Sequence, residues 1–500
     1  MLNPDRSALT LQHAAPGHMS LLAYPLLAMA VFWTIIPTLV HTAPPLDVVE
    51  SAMWGREWVI GTYKHPGMPS WLLEAGRWLD GGRIGWPAYA TGQLFNLATL
   101  GLTFAFARDL AGSRVALATV LALLGVEYFS WRSVEFNHTQ AQMPFWVGAA
   151  WCAWHAVKRG TLRWWLGLGA MAALGLYAKL SNAMELIVIA GWILSMPRGR
   201  AWLSTRGPWL GALLFLVMAT PAARWLVNSN FQALNYASAR GQEQSLLATL
   251  LFPANALLQA APIVLALGVA GVFARGAVAP PAPQPRTPDA DWYLVVISVV
   301  PPVMLIGSAL AGGSGVRATW LAPALPLLTV LLLQRLETRL SDAVLTRLAA
   351  VALGVAVLVP LGYAVAVPNL ARFSDAPPLR VRWPQQEIAR ALAAAWTAET
   401  GKPLEVVAGS SWSAGLVGLN HPDRPSILTE GQLAFSPWIV ERKRIGKGAL
   451  VVWTEGRGAI AMPALEKLVA GHPVKELRVP VPRGKPGQEV VLKYAILPPG

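Results

Sequence analysis

The chain is 500 residues long, 54% hydrophobic and only 13% charged, where soluble domains carry roughly a quarter charged residues. Its single cysteine, Cys152, lies in the apolar run AAWCAW, which excludes a disulfide framework and a cysteine-based metal site. Apolar runs near twenty residues recur, so the net charge of +14 points to membrane-side loops and anionic lipid rather than to nucleic acid.

The first run, 21–40, is too long for the apolar region of a signal peptide and reads as a retained span. Further spans are expected near 89–107, 115–130, 142–157, 163–179, 181–196, 208–227, 247–274, 292–311, 318–334 and 345–367, about eleven in all. With the N-terminus in the cytoplasm, the inside loops are short and basic, carrying Arg108 and Arg114, then Lys158, Arg159 and Arg163, then Arg198, Arg200 and Arg206. Arg275 and Arg286, and finally Arg335, Arg339 and Arg347, continue the pattern that the positive-inside rule demands. Segments 41–88, 131–141, 228–246, 312–317 and everything after 368 then lie outside the cytoplasm. The Pro-rich stretch 279–288 becomes a stiff inside linker.

From about Pro368 charges appear regularly and apolar runs shrink to strand length. Helical spacing over 385–400, strand-like runs at 404–410, 449–455 and 490–497, and a helix near 462–470 predict a small soluble α/β domain over 368–500. It carries no metal or nucleophile motif and suits a lid or docking platform. The fold class read here is thus an all-α polytopic membrane domain, 1–367, followed by that α/β domain.

Titratable groups concentrate in the loops of one side. Asp47 and Glu50 in PPLDVVE are three apart and share a face if the segment is helical. Such a carboxylate can serve as a general base or hold a cation, and equally can mark a helix start after Pro44-Pro45. Lys64 and His65 in YKHPGMPSW precede a proline, so they sit in a turn that suits an anion or simply faces water. Glu135, Asn137, His138 and Gln140 crowd the next loop, beside Arg132, and could hold sugar hydroxyls or form an ordinary polar connection. Lys179 and Asn182 lie in the break between two spans; the lysine reads as an anion ligand or a snorkelling side chain. Arg317 could clamp a phosphate or anchor its helix, and Arg240 is a weaker case of the same kind. There is no P-loop, HExxH pair or nucleotide-sugar fingerprint, so group transfer on the outer face implies a lipid-linked donor. Ionisable residues in mid-span and internal repeats, which a transporter or flippase wants, are absent from the sequence.

The order and sidedness of Leu46-Asp47-Val48-Val49-Glu50, the Tyr63–Trp71 turn, Glu135–His138, Ala178–Ser181 and Arg317–Pro323 resemble the GT-C membrane glycosyltransferases. The branch is the one with protein mannosyltransferase-like enzymes and the lipid A aminoarabinose and galacturonic acid transferases. The resemblance implies a bacterial inner-membrane enzyme that moves a sugar from a polyprenyl-phosphate carrier to an envelope glycolipid, with a protein acceptor as the alternative. It makes Asp47 the base or orienter of the acceptor hydroxyl. Lys64, His65, Lys179 and Arg317 would meet the carrier phosphate, and Glu50, Tyr63, Asn137, His138, Gln140, Asn182 and Arg240 the sugar or acceptor. A divalent cation, with Asp47 and His65 as its ligands, is allowed by the family. Three departures weaken it here: Val48 replaces the usual second acid, Lys64 stands where aminoarabinose-type enzymes carry a glutamate, and Asn137 or Gln140 where many relatives have an aspartate.

Overall fold

Each apolar run carries helix. The computed structural model describes residues 16–243, 245–274, 286–313, 315–373, 378–444, 446–454 and 463–500. Helix α1 is Pro16–Val40, and two short helices, α2 (Leu46–Gly55) and α3 (Met68–Leu79), fill the loop after it. The bundle continues through α4 (Trp86–Ala111), α5 (Ser113–Leu123), α6 (His138–Arg159), α7 (Leu162–Ala178) and α8 (Asn182–Ser195). A short α9 (Pro197–Trp202) leads to α10 (Arg206–Asn228), α11 (Gln232–Gln242) and α12 (Leu246–Leu250). The membrane domain closes with α13 (Phe252–Val269), α14 (Pro288–Ala311), α15 (Leu325–Arg335) and α16 (Asp342–Phe373).

Five of these are long and apolar enough to cross a membrane: Ser20–Val40 within α1, then α10, α13, α14, and Asp342–Leu370 within α16. The chain is a multi-pass membrane protein. Helices α4 and α6 are less apolar because they bury polar groups against each other; Gln140 Nε2 donates to Gly92 O at 2.8 Å and to Asn96 Oδ1 at 3.0 Å. A buried amide needs such partners.

Several runs fold differently from the sequence reading; run 318–334, for one, opens with the 3₁₀ stretch Ala318–Ala324 before α15. Run 247–274 divides at Leu251 into α12 and α13, because Pro253 near the start of α13 has no N–H to continue the ladder. Run 115–130 leaves the α-helix at Leu123, and Glu127–Phe129 and Trp131–Val134 form 3₁₀ turns. Run 345–367 extends to Phe373, so α16 passes through Pro368, where the composition changes. Most of the Pro-rich stretch 279–288 lies outside the described residues.

In the C-terminal domain, α17 occupies Gln385–Thr400 and ends on Gly401 in the left-handed region. Strand β1 (Val406–Gly409), α18 (Ser413–Asn420), β2 (Ser426–Thr429), α19 (Trp438–Glu441), β3 (Ala449–Trp453), α20 (Pro463–Val469), β4 (Lys475–Pro480) and β5 (Glu489–Leu497) follow. The sheet order is β2-β1-β3-β5-β4, parallel among the first three and antiparallel across β5. Strands β2 and β4 escape the sequence reading; β2 has four residues and β4 is a largely exposed edge without apolar alternation.

The loop holding α2 and α3 shares a core with this domain. Val49, Met53, Trp54 and Tyr63 pack with Ile388, Trp396 and Val451. The approach of α18 to α2 requires Gly415, where a Cβ would stand 2.9 Å from Val49 Cγ1. The turn before α3 requires Gly67, whose Cβ would collide with the Val59 carbonyl.

Candidate active site

Asp47 lies in the first turn of α2, where an acid is electrostatically favoured. Its backbone N–H donates to Glu135 Oε1 at 3.0 Å, and its Oδ2 accepts from Asn137 Nδ2 at 3.0 Å. Asn137 is also the N-cap of α6, its Oδ1 accepting from the Thr139 and Gln140 N–H groups. With the amide oxygen pinned by two donors, the NH₂ can only point at Asp47. Burial first, then the nearby Glu135 and Glu50 charges, push the Asp47 carboxyl up to about 7, against the pull of Asn137 and Lys64.

The turn before α3 closes with Gly61 bridged to Pro66. Lys64 Nζ meets Glu50 Oε1 at 2.5 Å and stands 5.4 and 5.3 Å from the Tyr63 and Tyr236 rings. Burial works most strongly against its charge, but Glu50, Tyr63 and Tyr236 together hold the ammonium above its ordinary range. The His65 ring lies 4.1 Å from that of His138, tilted by 32°, and His138 Nε2 lies 3.1 Å from Pro66 O. Burial, then His138, Lys179 and Lys64, keep His65 well below its ordinary value, so it is neutral.

Lys179 sits in extended backbone between α7 and α8, and its Nζ donates to Thr139 Oγ1 at 2.8 Å. Burial, opposed by Asp47 and aided by Arg317, lowers it to about 8. A cavity of about 650 Å³ joins these groups: Asp47, Glu50, Lys64, His65, Glu135, Asn137, His138, Lys179, Arg240, Arg317 and Arg380 all line it. Met184, Pro301, Pro302, Leu305 and Leu321 give it an apolar wall. Among the described residues, Lys179, Arg317 and Arg380 have no carboxylate partner, whereas Lys64 has Glu50 and Arg240 has Glu243. The arrangement sets a carboxyl near neutrality beside unmatched cations and an apolar wall. It can take a proton from a hydroxyl and hold an anion that carries a lipid chain.

A family model described as dolichyl-phosphate-mannose-protein mannosyltransferase matches residues 64–225. No curated protein matches the chain by sequence. Two crystal structures of ArnT from Cupriavidus metallidurans, one bound to undecaprenyl phosphate and one in the apo state, match with TM-scores of 0.59 and 0.58. Identity is 16% and 15%, and each match covers 96% of this chain and 98% of the other. The chain has the GT-C glycosyltransferase fold. Its likeness to the mannosyltransferase-like and ArnT-type group, read from loop motifs, thus extends to the whole architecture, with the small sheet domain at the end.

Within that fold, three of the residues singled out from sequence face elsewhere. Tyr63 turns into the core shared with the C-terminal domain and stacks on Phe435 at 4.0 Å. Gln140 ties α6 to α4 through its side-chain amide. Asn182 is buried beside Gly175, and neither end of its amide has a hydrogen-bond partner among the described residues. His65 reaches the cavity but, being neutral, brings no charge to an anion. No group of three or more His, Cys, Asp or Glu side chains arranged for a metal ion occurs among the described residues, so Asp47 and His65 lack a third ligand of that kind.

Glu135, one of the loop residues read as able to hold sugar hydroxyls, also lines the cavity, as do Tyr236, Trp320 and Arg380, which sequence reasoning does not assign to the site. Glu135 carries a signal, since it is an acid in a crowded polar loop. Arg380 carries none, because only the fold returns the start of the C-terminal domain to α2.

Proposed function

We propose that the chain transfers a sugar from a polyprenyl-phosphate donor to an envelope glycolipid, lipid A or lipopolysaccharide core, on the periplasmic face of a bacterial inner membrane. The observation that carries this is the cavity itself: Asp47, poised near neutrality, shares it with the unmatched cations Lys179 and Arg317 and an apolar wall. Asp47 accepts the proton of the acceptor hydroxyl, and that oxygen bonds to the anomeric carbon of the sugar. The bond from that carbon to the phosphate oxygen breaks, and polyprenyl phosphate leaves with its second negative charge. Lys179 and Arg317 offset that charge, and the prenyl chain runs along Pro301, Pro302 and Leu305. Asn137 holds the Asp47 carboxylate in line. The loops bearing these groups, and the C-terminal domain, then face the periplasm, a sidedness supported by the basic loops of the other side.

A protein acceptor is the second reading, favoured by the description of the family that matches residues 64–225. Mass spectrometry of lipid A and core from a deletion strain separates the two. Loss of one sugar from the glycolipid is the expected result; an unchanged glycolipid with a lost protein glycan overturns the glycolipid reading.

A further inference from the structure

Helix α7 runs from Arg163 at one end to Lys179 at the other, so its first turn lies about 25 Å from the cavity. Cations gather at that far end. No acid occurs between Glu135 and Glu185 or between Glu185 and Glu243, and the turns within those stretches hold two groups of three cations. Lys158, Arg159 and Arg163 flank the turn between α6 and α7; Arg198, Arg200 and Arg206 lie in α9 and at the start of α10. Among the described residues none of the six meets a carboxylate; indole faces and main-chain carbonyls hold five of them instead. Lys158 Nζ stands 5.1 Å from the Trp154 ring, and Arg159 and Arg163 stand 6.0 and 5.3 Å from Trp164. Arg198 donates to Lys158 O at 2.6 Å, and Arg200 to the Leu194 and Ser195 carbonyls at 3.0 Å. Asp109 reaches this end from α4, but Trp151 Nε1 and His155 Nε2 hold it at 2.9 and 2.8 Å.

The two groups are locked side by side. Gly160 lies in the left-handed region, a Cβ there would collide with the Trp202 ring, and Trp202 Nε1 donates to Val157 O at 2.9 Å. Helix α9 is thus seated on the turn between α6 and α7. Helices α7 and α10 approach so closely that a Cβ on Gly169 would strike the Gly211 carbonyl. Along α10, starting three residues after Arg206, Trp209, Leu213, Leu216 and Val217 are exposed.

Orienting a membrane protein takes only a number of basic residues, in any arrangement. Fixed cations directly beside an exposed apolar helix face are more particular, and a nucleic acid or an acidic protein would leave that face without a role. A phospholipid uses both, with phosphate on the cations and acyl chains along α10. One phosphate can engage one group of three, and a second phosphate on the same headgroup then meets the other group at high effective concentration. We propose that this end of the bundle binds an anionic phospholipid whose headgroup carries two phosphates. The site is separate from the cavity and independent of which sugar or acceptor the cavity takes.

Native mass spectrometry of the full-length protein in detergent tests this, with cardiolipin, phosphatidylglycerol and phosphatidylcholine titrated in turn. Cardiolipin is expected to bind at least about tenfold more tightly than phosphatidylglycerol, and phosphatidylcholine more weakly than either. Arg163→Gln and Arg206→Gln take one cation from each group, and neither arginine bonds a main-chain carbonyl among the described residues. Each should weaken cardiolipin binding about tenfold, and the pair together should erase its preference over phosphatidylglycerol. Lys402→Gln with Lys467→Gln removes two exposed charges from the C-terminal domain and should leave the preference intact; matched melting temperatures without lipid show that the variants are folded. Equal binding of cardiolipin and phosphatidylglycerol by the parent would overturn the proposal, as would an unchanged preference in the Arg163 and Arg206 pair. Equal loss in the lysine pair would reduce the effect to net charge, and displacement of cardiolipin by millimolar inorganic phosphate would make the ligand a free anion; either result also overturns it.

Discussion

The two ends of α2 bury carboxylates in opposite ways. At its C-terminal end Glu57 is 4% exposed and paired with cations, its Oε1 accepting from Arg444 and the Ser426 hydroxyl and its Oε2 standing 3.0 Å from Arg442 Nη1. At its N-terminal end Asp47 has an amide, Asn137, and a neighbouring carboxylate, Glu135, but no cation bonded to it among the described residues. Glu57, with its cations in contact, joins a loop to a domain. Asp47 is held near the point of titration by burial and like charge, with cations across the cavity rather than in contact. One helix therefore carries a cation-paired acid at one end and an unpaired acid at the other, and the proposed chemistry belongs to the unpaired end.

Removing the proposed base should produce the largest effect. Asp47→Asn keeps the shape and an acceptor for Asn137 but cannot take a proton, so transfer should fall by about 10²–10⁴-fold. Purified variant and parent, with matched melting temperatures, assayed with polyprenyl-phosphate sugar would show it; full activity in the variant removes Asp47 from the chemistry. The opposite end should respond in stability instead. Glu57→Ala leaves Arg444, largely buried, without its partner, and should cost about 3 kcal/mol. Thermal unfolding in detergent measures this, and turnover per folded molecule at low temperature should stay within a few-fold of the parent. A Glu57→Ala variant as stable as the parent would erase the contrast between the two ends.

How far this contrast is legible in the sequence depends on direction. Charges standing out against apolar surroundings are readable, which is why Asp47, Lys179 and Arg317 are found from sequence and do line one cavity. The helical runs are readable because membrane thickness fixes their length. Which way a polar side chain points is not: Tyr63 stacks on Phe435 and Gln140 bonds to the α4 backbone because of partners far away in the chain. Glu57 and Glu50 look alike in sequence. Only the return of the C-terminal domain supplies Arg442 and Arg444 to one, and only the Tyr63–Trp71 turn supplies Lys64 to the other.

The smallest expected effect is the most specific. If Asp47 is the base, kcat/KM falls as pH drops below about 7, since only the ionised carboxylate accepts a proton. On the alkaline side activity is lost as pH rises through about 8, where Lys179 gives up its charge. Glu135→Gln keeps a carbonyl oxygen for the Asp47 N–H but removes the negative charge that, after burial, raises the Asp47 carboxyl most. The acid limb should then move to lower pH, while the alkaline limb, governed by burial, Asp47 and Arg317, stays near its place. The plateau should drop modestly, because a carboxylate that ionises more readily is a weaker base. A pH–rate profile of this variant reads all three features at once. An acid limb that does not move would mean that the titrating group is not Asp47, and that the unmatched end of α2 does not govern the chemistry.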